Sequence, residues 1–356
     1  MAACSPVAVK VTVSNPSLFD RSDELVEIPV PALAAVSPGP GQSYVVKDDG
    51  GTVIPSQVTH DGFLIIRPGL GAGDMATFTV SARKPPPFEP LTYACYVPER
   101  HDDFVWENDR IAMRAYGPAL VASDGPSNGF DFWYKRTGRL VTDGWYADDI
   151  AGMRSYHDDH GEGLDDYKVG RSLGGGAMAP VFDGVLVLNG NYVSQEVLDN
   201  GPLRTTFRLV YDDIEVDGKA FRESRTISID AGSQMSRVVQ EYGFDTPVTV
   251  AAGFPLHREG MGEGDYEGAP GWLLLSEPAT DKSEGVYLGL VFPGGIGNIR
   301  RDSYEVPRGM KNAGIYEHIL AEAIYEPGQP FTYYTGYGWT GYGFDGRDGF
   351  REYLER

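Results

Sequence analysis

Apolar and polar residues alternate in short runs along the N-terminal part of the chain, and stretches rich in Pro and Gly separate these runs. Successive side chains of a β-strand point to opposite faces, so the alternation predicts strands, and their regular spacing is typical of a β-sandwich. Prolines at 84–90 then fix the backbone and remove amide donors, as suits a linker. We therefore predict a β-sandwich segment at 1–84 and a larger domain at 85–356. The predicted N-terminal strands lie at 7–13, 25–30, 43–46, 63–67 and 76–82.

The larger domain continues the strand pattern with longer loops between the runs. The sequence Val216-Asp-Gly-Lys219 is a hairpin turn signal between two of the predicted strands. A helical pattern is predicted only at 347–356. The predicted class is therefore all-β, with a large antiparallel double sheet in the second domain. Its clearest predicted strands lie at 205–211, 221–229, 286–292, 318–325 and 331–339.

Charge narrows the classes of function. The formal net charge of the chain is −21 at pH 7, and a protein this acidic repels the phosphates of nucleic acid. An anionic ligand would therefore need arginines gathered locally against the background field. The sequence contains no apolar run of about 18 residues, the length that a membrane-spanning helix needs.

The N-terminus suggests export. Ala2-Ala3-Cys4-Ser5 resembles the end of a bacterial lipoprotein signal, in which the cysteine that follows small residues is lipidated. On this interpretation Cys4 carries a lipid anchor, and the protein lies in the periplasm or at the outer membrane. The alternative is an ordinary N-terminus without a lipid.

The most polar stretch of the chain runs from Arg154 to Arg171 and follows no apolar period. Histidine titrates nearest to neutral pH, so His157 and His160 are candidates for proton transfer, with Tyr167 and Lys168 beside them. A metal site built on the two histidines and neighbouring carboxylates is one alternative. An acidic surface loop with incidental histidines is another.

Arginines elsewhere in the chain are candidates for binding an anionic group. In a strand, Arg110 and Arg114 would share one face, and a guanidinium can hold a carboxylate through two hydrogen bonds. Arg204 and the loop residue Arg154 are further candidates. The alternative for Arg110 and Arg114 is ion pairing with acidic residues of the chain itself, such as Glu107 and Asp109.

Three further features are consistent with a carbohydrate site. His257 lies at a predicted strand end before a Gly-rich loop, where it is either a second catalytic group or a structural histidine. Tyr337 and Trp339 alternate with glycines, and Trp106 raises the same question: such rings either stack on sugar faces or pack in the core.

A series of motifs along the chain carries a family resemblance. The motifs, in chain order, are Glu99-Arg-His-Asp-Asp-Phe-Val-Trp-Glu-Asn-Asp-Arg110, Tyr116-Gly-Pro118, Tyr156-His-Asp-Asp-His-Gly-Glu-Gly163, Tyr167-Lys-Val-Gly170, Asn200-Gly-Pro-Leu-Arg204 and Ile229-Asp-Ala-Gly-Ser233. From about Tyr93 onward the chain resembles a family of exported bacterial proteins of polysaccharide-degrading systems, which includes the ulvan oligosaccharide dehydratases. We expect its large domain to be catalytic, and a supersandwich of the galactose-mutarotase type.

The resemblance implies a hydro-lyase that needs no cofactor. Water would be eliminated across C4 and C5 of the non-reducing-end uronate (glucuronate or iduronate) of an anionic, ulvan-type oligosaccharide. That chemistry requires a base at C5, an acid at the C4 hydroxyl and a cation at the carboxylate.

We predict these roles from the chemistry. The base is His157 or His160, the acid is Tyr167 or Lys168, and the clamp is Arg114 or Arg204. A polysaccharide lyase, a glycoside hydrolase and a non-catalytic glycan-binding lipoprotein are the alternatives.

Overall fold

The structure, a computed structural model, describes residues 7–256 and 264–356 and is built almost wholly of antiparallel strands. This confirms the predicted all-β class. The N-terminal strands are β1 Ala8–Ser14, β2 Val26–Pro29, β3 Ser43–Lys47, β4 Val53–Ile54, β5 Ser56–Val58, β6 Phe63–Ile66 and β7 Met75–Arg83. The next strands are β8 Thr92–Val97, β9 Asp103–Asn108, β10 Ala112–Ala115, β11 Phe130–Lys135, β12 Gly163–Leu164, β13 Met178–Phe182, β14 Val185–Leu186, β15 Tyr192–Asn200, β16 Arg204–Tyr211, β17 Ile214–Val216 and β18 Lys219–Phe221.

The remaining strands and the helices complete the large domain. The strands are β19 Glu223–Asp230, β20 Met235–Tyr242, β21 Val248–Leu256, β22 Asp265–Ala269, β23 Trp272–Ser276, β24 Val286–Val291, β25 Asn298–Val306, β26 Gly314–Tyr325 and β27 Phe331–Trp339. The helices are α1 Val121–Asp124, α2 Thr142–Ile150 and α3 Arg347–Glu355, with 3-10 turns at Val30–Leu33, Pro98–Arg100 and Pro118–Leu120. Within the described ranges, no helix is long and apolar enough to cross a membrane.

The N-terminal strands form two small sheets with a core of their own. One sheet has the order β1-β7-β3-β4 and the other β2-β6-β5. Leu33, Val46, Leu64 and Val80 are fully buried between them. The Pro-rich segment follows at the end of β7, before the first strand of the large domain.

The large domain is a sandwich of one wide layer on two narrower sheets. The wide sheet has the order β15-β16-β19-β20-β27-β24-β23-β22. Against it lie one sheet ordered β12-β11-β10-β9-β8 and another ordered β14-β13-β21-β26-β25. Buried residues from all three sheets, such as Trp106, Phe207 and Phe254, belong to a single apolar core. A cavity lies at the seam between the two narrower sheets.

Helix α2 was not predicted, because its sequence Thr-Asp-Gly-Trp-Tyr-Ala-Asp-Asp-Ile has no clear apolar stripe. Tertiary contacts stabilise it instead. The buried carboxylate of Glu107 accepts hydrogen bonds from the amides of Val141 and Thr142 at its first turn, each at 2.8 Å. The same carboxylate pairs with the buried Lys135 ammonium at 2.6 Å. Glu107 therefore satisfies amides that the helix itself leaves without partners.

Candidate active site

A cavity of about 470 Å³ opens at the seam between the two narrower sheets, a volume in the range of small-ligand sites. The end of β10, the loop after β12, the end of β21 and the beginning of β26 all contribute to its wall. Residues distant in sequence therefore meet there. The ionisable residues that line the cavity are Arg100, Arg114, Tyr116, Asp124, His157, Asp165, Tyr167, Lys168, Tyr316 and Glu317.

The His157 ring is held in a defined tautomer. The amide of Asp165 donates to the carbonyl of Tyr156 at 2.8 Å, which closes the loop at 156–165 and brings His157 back onto Asp165. Nδ1 of His157 then lies 3.0 Å from the Asp165 carbonyl oxygen. Because a carbonyl can only accept, Nδ1 carries the hydrogen, and Nε2 of the neutral ring keeps its lone pair. His157 therefore has the arrangement of a general base.

The Asp165 side chain connects His157 to a buried charge cluster. Its Oδ2 lies 3.5 Å from His157 Nδ1 and 2.9 Å from Arg114 Nη2. Burial raises the pKa of this carboxyl well above its ordinary value, and the neighbouring carboxylate of Asp131 raises it further. Arg114 and Lys168 oppose that effect. Asp165 is therefore the carboxyl that most readily keeps a proton beside the imidazole.

Arg114 is surrounded by carboxylates. It lies opposite Asp131 in the β10–β11 pairing, and its Nε donates to Asp131 Oδ2 at 2.9 Å. Its Nη1 donates to Asp103 Oδ2 at 3.4 Å and to the Tyr156 hydroxyl at 3.3 Å. The guanidinium of Arg114 and the carboxylates of Asp103, Asp131 and Asp165 are all buried. Since these acceptors engage its donors, Arg114 holds the cavity wall together and has little left to offer a substrate carboxylate.

Arg100 and Lys168 are better placed to bind an anion. Arg100 lines the cavity half-buried, and its Nε donates to the Tyr156 hydroxyl at 3.0 Å. Lys168 lines the same cavity and is exposed. Tyr167 is buried beside it, and burial raises its pKa well above the ordinary value, which disfavours a phenolate there. The cavity thus holds the cationic side chains of Arg100 and Lys168 together with the acidic side chains of Asp124 and Glu317.

His160 and Arg154 lie outside this cavity. The ring of His160 is exposed, with Nε2 3.2 Å from the Ser155 carbonyl oxygen, and both residues line a separate small hollow near Trp145. The structure therefore brings only one of the two loop histidines to the cavity. Within residues 7–256 and 264–356, no group of three or more His, Cys, Asp or Glu side chains is arranged to hold a metal ion.

Arg110 and Arg204 are a correction to the predicted anion-binding set. Arg110 lies in the turn between β9 and β10, where its Nη2 is 3.3 Å from Asp23. Arg204 pairs with Asp230 and with Glu27 of the N-terminal unit. Both guanidinium groups join the two units of the protein, and neither lines the cavity.

The three aromatic candidates are also corrected, because they pack inside the protein. Trp106 is fully buried and donates to Ser236 at 2.9 Å. Tyr337 is buried, and its hydroxyl accepts from the amide of Lys135 at 3.0 Å. The indole of Trp339 donates to the Glu284 carbonyl at 3.0 Å and is almost wholly covered. No face of these rings is free for a sugar.

Two predicted groups lie outside the described residues. One is Cys4, so the lipid anchor and the export it implies stay predictions. The other is His257, which directly follows two residues of the cavity wall, Pro255 and Leu256.

Sequence reasoning did not single out Arg100, Asp103, Asp131 or Asp165. Arg100 and Asp103 lie in a family motif and Asp165 lies in the polar stretch, but nothing local separates them from the other charged residues there. Asp131 had a weaker signal, since it is a charged residue in an aromatic strand, Phe130–Lys135. The pairing of Asp131 with Arg114 follows from the register of β10 and β11, which the local sequence does not reveal.

Solved structures share the fold. A protein in the glycosyl hydrolase family 38 from Enterococcus faecalis matches with a TM-score of 0.52 and 8% identity, over 93% of this chain and 44% of that one. An α-mannosidase from Enterococcus faecalis V583 matches with a TM-score of 0.47 and 8% identity, over 93% of this chain and 43% of that one. At such identity the first match shows the fold alone, and it supports the predicted sandwich.

A sequence relative and a family model match more directly. Uncharacterized protein P7 of Formosa agariphila is 32% identical over 254 residues, which span 69% of this chain and 62% of that protein. The model of DUF4861, described as a domain of unknown function, matches residues 13–356. The match begins in β1, so it includes the N-terminal unit that the motif resemblance left out. The chain therefore belongs to the DUF4861 family.

Proposed function

We propose that the cavity binds the non-reducing-end uronate of an anionic oligosaccharide and eliminates water across C4 and C5. The product carries a 4,5-unsaturated uronyl end. The observation that carries this proposal is the bond from His157 Nδ1–H to the Asp165 carbonyl, at 3.0 Å. It leaves Nε2 as a base in a cavity that also holds two cationic side chains, Arg100 and Lys168.

The base step is the removal of the C5 proton. This proton lies α to a carboxylate and is weakly acidic, and its loss places negative charge on that carboxylate. His157 Nε2 takes the proton, and the resulting imidazolium keeps its Nδ1–H bond to the Asp165 carbonyl. The buried carboxyl of the same residue lies 3.5 Å from Nδ1, and its raised pKa leaves the Asp165 carbonyl as the main partner of the new positive charge. A positioned base contributes about 10²–10⁴ in rate.

The charge that develops on the uronate carboxylate needs a cation. Arg100 suits this role, since it lines the cavity and its one described side-chain hydrogen bond is made through Nε to Tyr156. Its terminal nitrogens can then hold the carboxylate in a fork. A preorganised donor of this kind is worth about 3–4 kcal/mol.

The acid step is the departure of the C4 hydroxyl. Lys168 suits it better than Tyr167, because burial raises the pKa of Tyr167 and opposes formation of its anion. Lys168 Nζ gives a proton to the leaving hydroxyl, the C4–O bond breaks, and water departs. The electrons of the C5–H bond form the C4–C5 double bond, which balances the reaction without an added reactant.

The test is incubation with saturated oligosaccharides that end in glucuronate or iduronate, followed by mass spectrometry and ultraviolet absorbance. Dehydration lowers the mass by one water, keeps the chain length and adds the absorbance of an unsaturated uronate. Two fragments with that absorbance would identify a polysaccharide lyase, and fragments without it a hydrolase. Tight binding without any product would identify a glycan-binding protein. Each of these three results overturns the dehydratase proposal.

A further inference from the structure

A segment of the opposite layer of the sandwich contacts the His157 loop. Residues 280–283 connect β23 to β24 of the wide sheet. Lys282 Nζ donates to the His157 carbonyl at 2.8 Å and to Asp158 Oδ1 at 2.7 Å. These bonds attach the histidine-bearing end of the loop to a sheet that contributes no residue to the cavity wall.

The same segment also holds the other end of the loop. The hydroxyls of Thr280 and Ser283 both donate to Asp166 Oδ2, at 2.5 and 2.8 Å. Asp166 directly follows Asp165, whose carbonyl fixes the His157 tautomer. His157 and the residue that follows Asp165 are therefore both tied to one external segment.

We propose that Lys282 is a positioning residue for His157, and that segment 280–283 sets the orientation of the imidazole in the cavity. The effect of Lys282 on catalysis rests on the proposed function, whereas its effect on the orientation of the imidazole does not. Lys282 itself lies outside the cavity and acts on the reaction only through the backbone of His157.

Because Lys282 lies at the surface, its effect on the position of His157 can be measured apart from its effect on the free energy of unfolding. Lys282 and Asp158 are both well exposed, and exposed ion pairs contribute little to the free energy of unfolding. The position of a base matters far more, since a displacement of about 1 Å can cost about 10² in rate. Loss of the Lys282 bonds should therefore lower turnover while the protein remains folded.

The first experiment compares kcat and KM of Lys282→Met, Lys282→Arg and Lys219→Met on the uronate oligosaccharide. Lys219 is the matched control, because it forms an exposed pair with Asp245 on another hairpin. We expect Lys282→Met to lower kcat about threefold to fivefold with little change in KM, the bias that an exposed pair can exert on the loop. Lys282→Arg should restore most of kcat, because its guanidinium can donate to both acceptors. Lys219→Met should match the wild type.

The second experiment measures the tautomer populations of the His157 imidazole by ¹⁵N nuclear magnetic resonance, without any substrate. The wild type should show the Nδ1–H tautomer, and Lys282→Met should shift the population toward the Nε2–H tautomer. If the wild type does not dehydrate uronates, the proposed function fails, and this spectrum still tests the positioning role. Unchanged tautomer populations in Lys282→Met overturn the positioning role, and so does an unchanged kcat in an active enzyme.

Discussion

His157 and His160 lie on one loop and differ in what their rings contact. Nδ1 of His157 meets the Asp165 carbonyl and its ring lines the cavity, whereas the only described ring bond of His160 is to the Ser155 carbonyl. A histidine becomes a base through such surroundings, because they select the tautomer and place the ring at the cavity. The two residues therefore form a natural pair for mutation.

We expect His157→Ala to lower kcat at least about 10²-fold, the lower range for a positioned base. His160→Ala should retain the activity of the wild type, since its ring lies outside the cavity. The measurement is initial rate from the new ultraviolet absorbance, with circular dichroism to verify folding. Full activity of His157→Ala would remove this residue from the mechanism.

His318 is a buried histidine of a different kind. It lies in β26 and stacks on Tyr304 with ring centroids 5.4 Å apart, and its Nε2 accepts from the Leu173 amide at 3.0 Å. Burial lowers its pKa to about 3. The ring thus stays neutral in the folded protein over the pH range in which an exposed histidine gains a proton.

This difference makes the stability of the protein depend on pH. In the unfolded chain His318 binds a proton near its ordinary value of 6.5, but in the folded protein only near 3. The unfolded state therefore binds more protons in that interval, and the free energy of unfolding falls as pH drops through it. From about pH 7 to about pH 5 this residue should account for a loss of about 2 kcal/mol. Denaturant melts of wild type and His318→Gln should differ in this slope; equal slopes would contradict the prediction.

At the scale of elements, one glycine of β27 and one of β24 make room for α3. An added Cβ at Gly338 would lie 2.5 Å from the ring of Phe350, and one at Gly289 of the adjacent strand 2.7 Å from Leu354. Phe350 and Leu354 form the buried face of the helix. The alternation of Gly and aromatic residues in this strand therefore reflects helix packing on one face and core packing on the other.

Gly338→Ala should displace α3 and lower the free energy of unfolding by about 1–3 kcal/mol, the usual cost of overpacking. Gly271→Ala is the control, since its added Cβ meets nothing within 4 Å. Thermal melts of both variants provide the measurement. A Gly338→Ala protein as stable as the control would show that the helix is not held by this contact.

At the scale of the whole molecule, polar contacts join the N-terminal unit to the large domain. Gln57 accepts from the amides of Leu203 and Arg204 at 2.8 and 2.9 Å and donates to the Arg204 carbonyl at 2.8 Å. Glu27 pairs with the Arg204 side chain, and His60 pairs with Asp199. A small apolar cluster that includes Ile65 and Leu203 lies beside these bonds. The two units are therefore expected to unfold together.

Gln57→Leu should weaken this coupling, because the amides of Leu203 and Arg204 lose their Gln57 acceptor. The Arg204 carbonyl keeps the hydrogen bond from the Gly201 amide at 3.0 Å. A buried unsatisfied group costs about 1–3 kcal/mol, so calorimetry should show an earlier unfolding of the N-terminal unit. Gln42→Leu, an exposed glutamine of the same unit, is the control. A single unchanged transition in Gln57→Leu would contradict the coupling.

Much of the fold could be read from local pattern. The predicted strands coincide with β1, β2, β3, β6, β7, β16, β19, β24, β26 and β27. Asp217-Gly218 marks a real hairpin turn, and α3 lies at the predicted helix. The sequence did not predict helix α2, because the Glu107 carboxylate that stabilises its first turn is distant in sequence. Local rules describe a strand or a turn well, since both depend on near neighbours, and they cannot describe a helix held by a distant residue.

The sequence by itself determined the all-β class, the positions of about ten strands and the polar loop that carries His157. Only the tertiary structure decided which charged groups face the cavity, and it selected Arg100 and Asp165 while it committed Arg110 and Arg204 to ion pairs between the units. The physical reason is one of range. Side-chain periodicity follows from the geometry of a single strand, whereas the partner of a charge depends on strand register and on the packing of segments that are far apart in the chain.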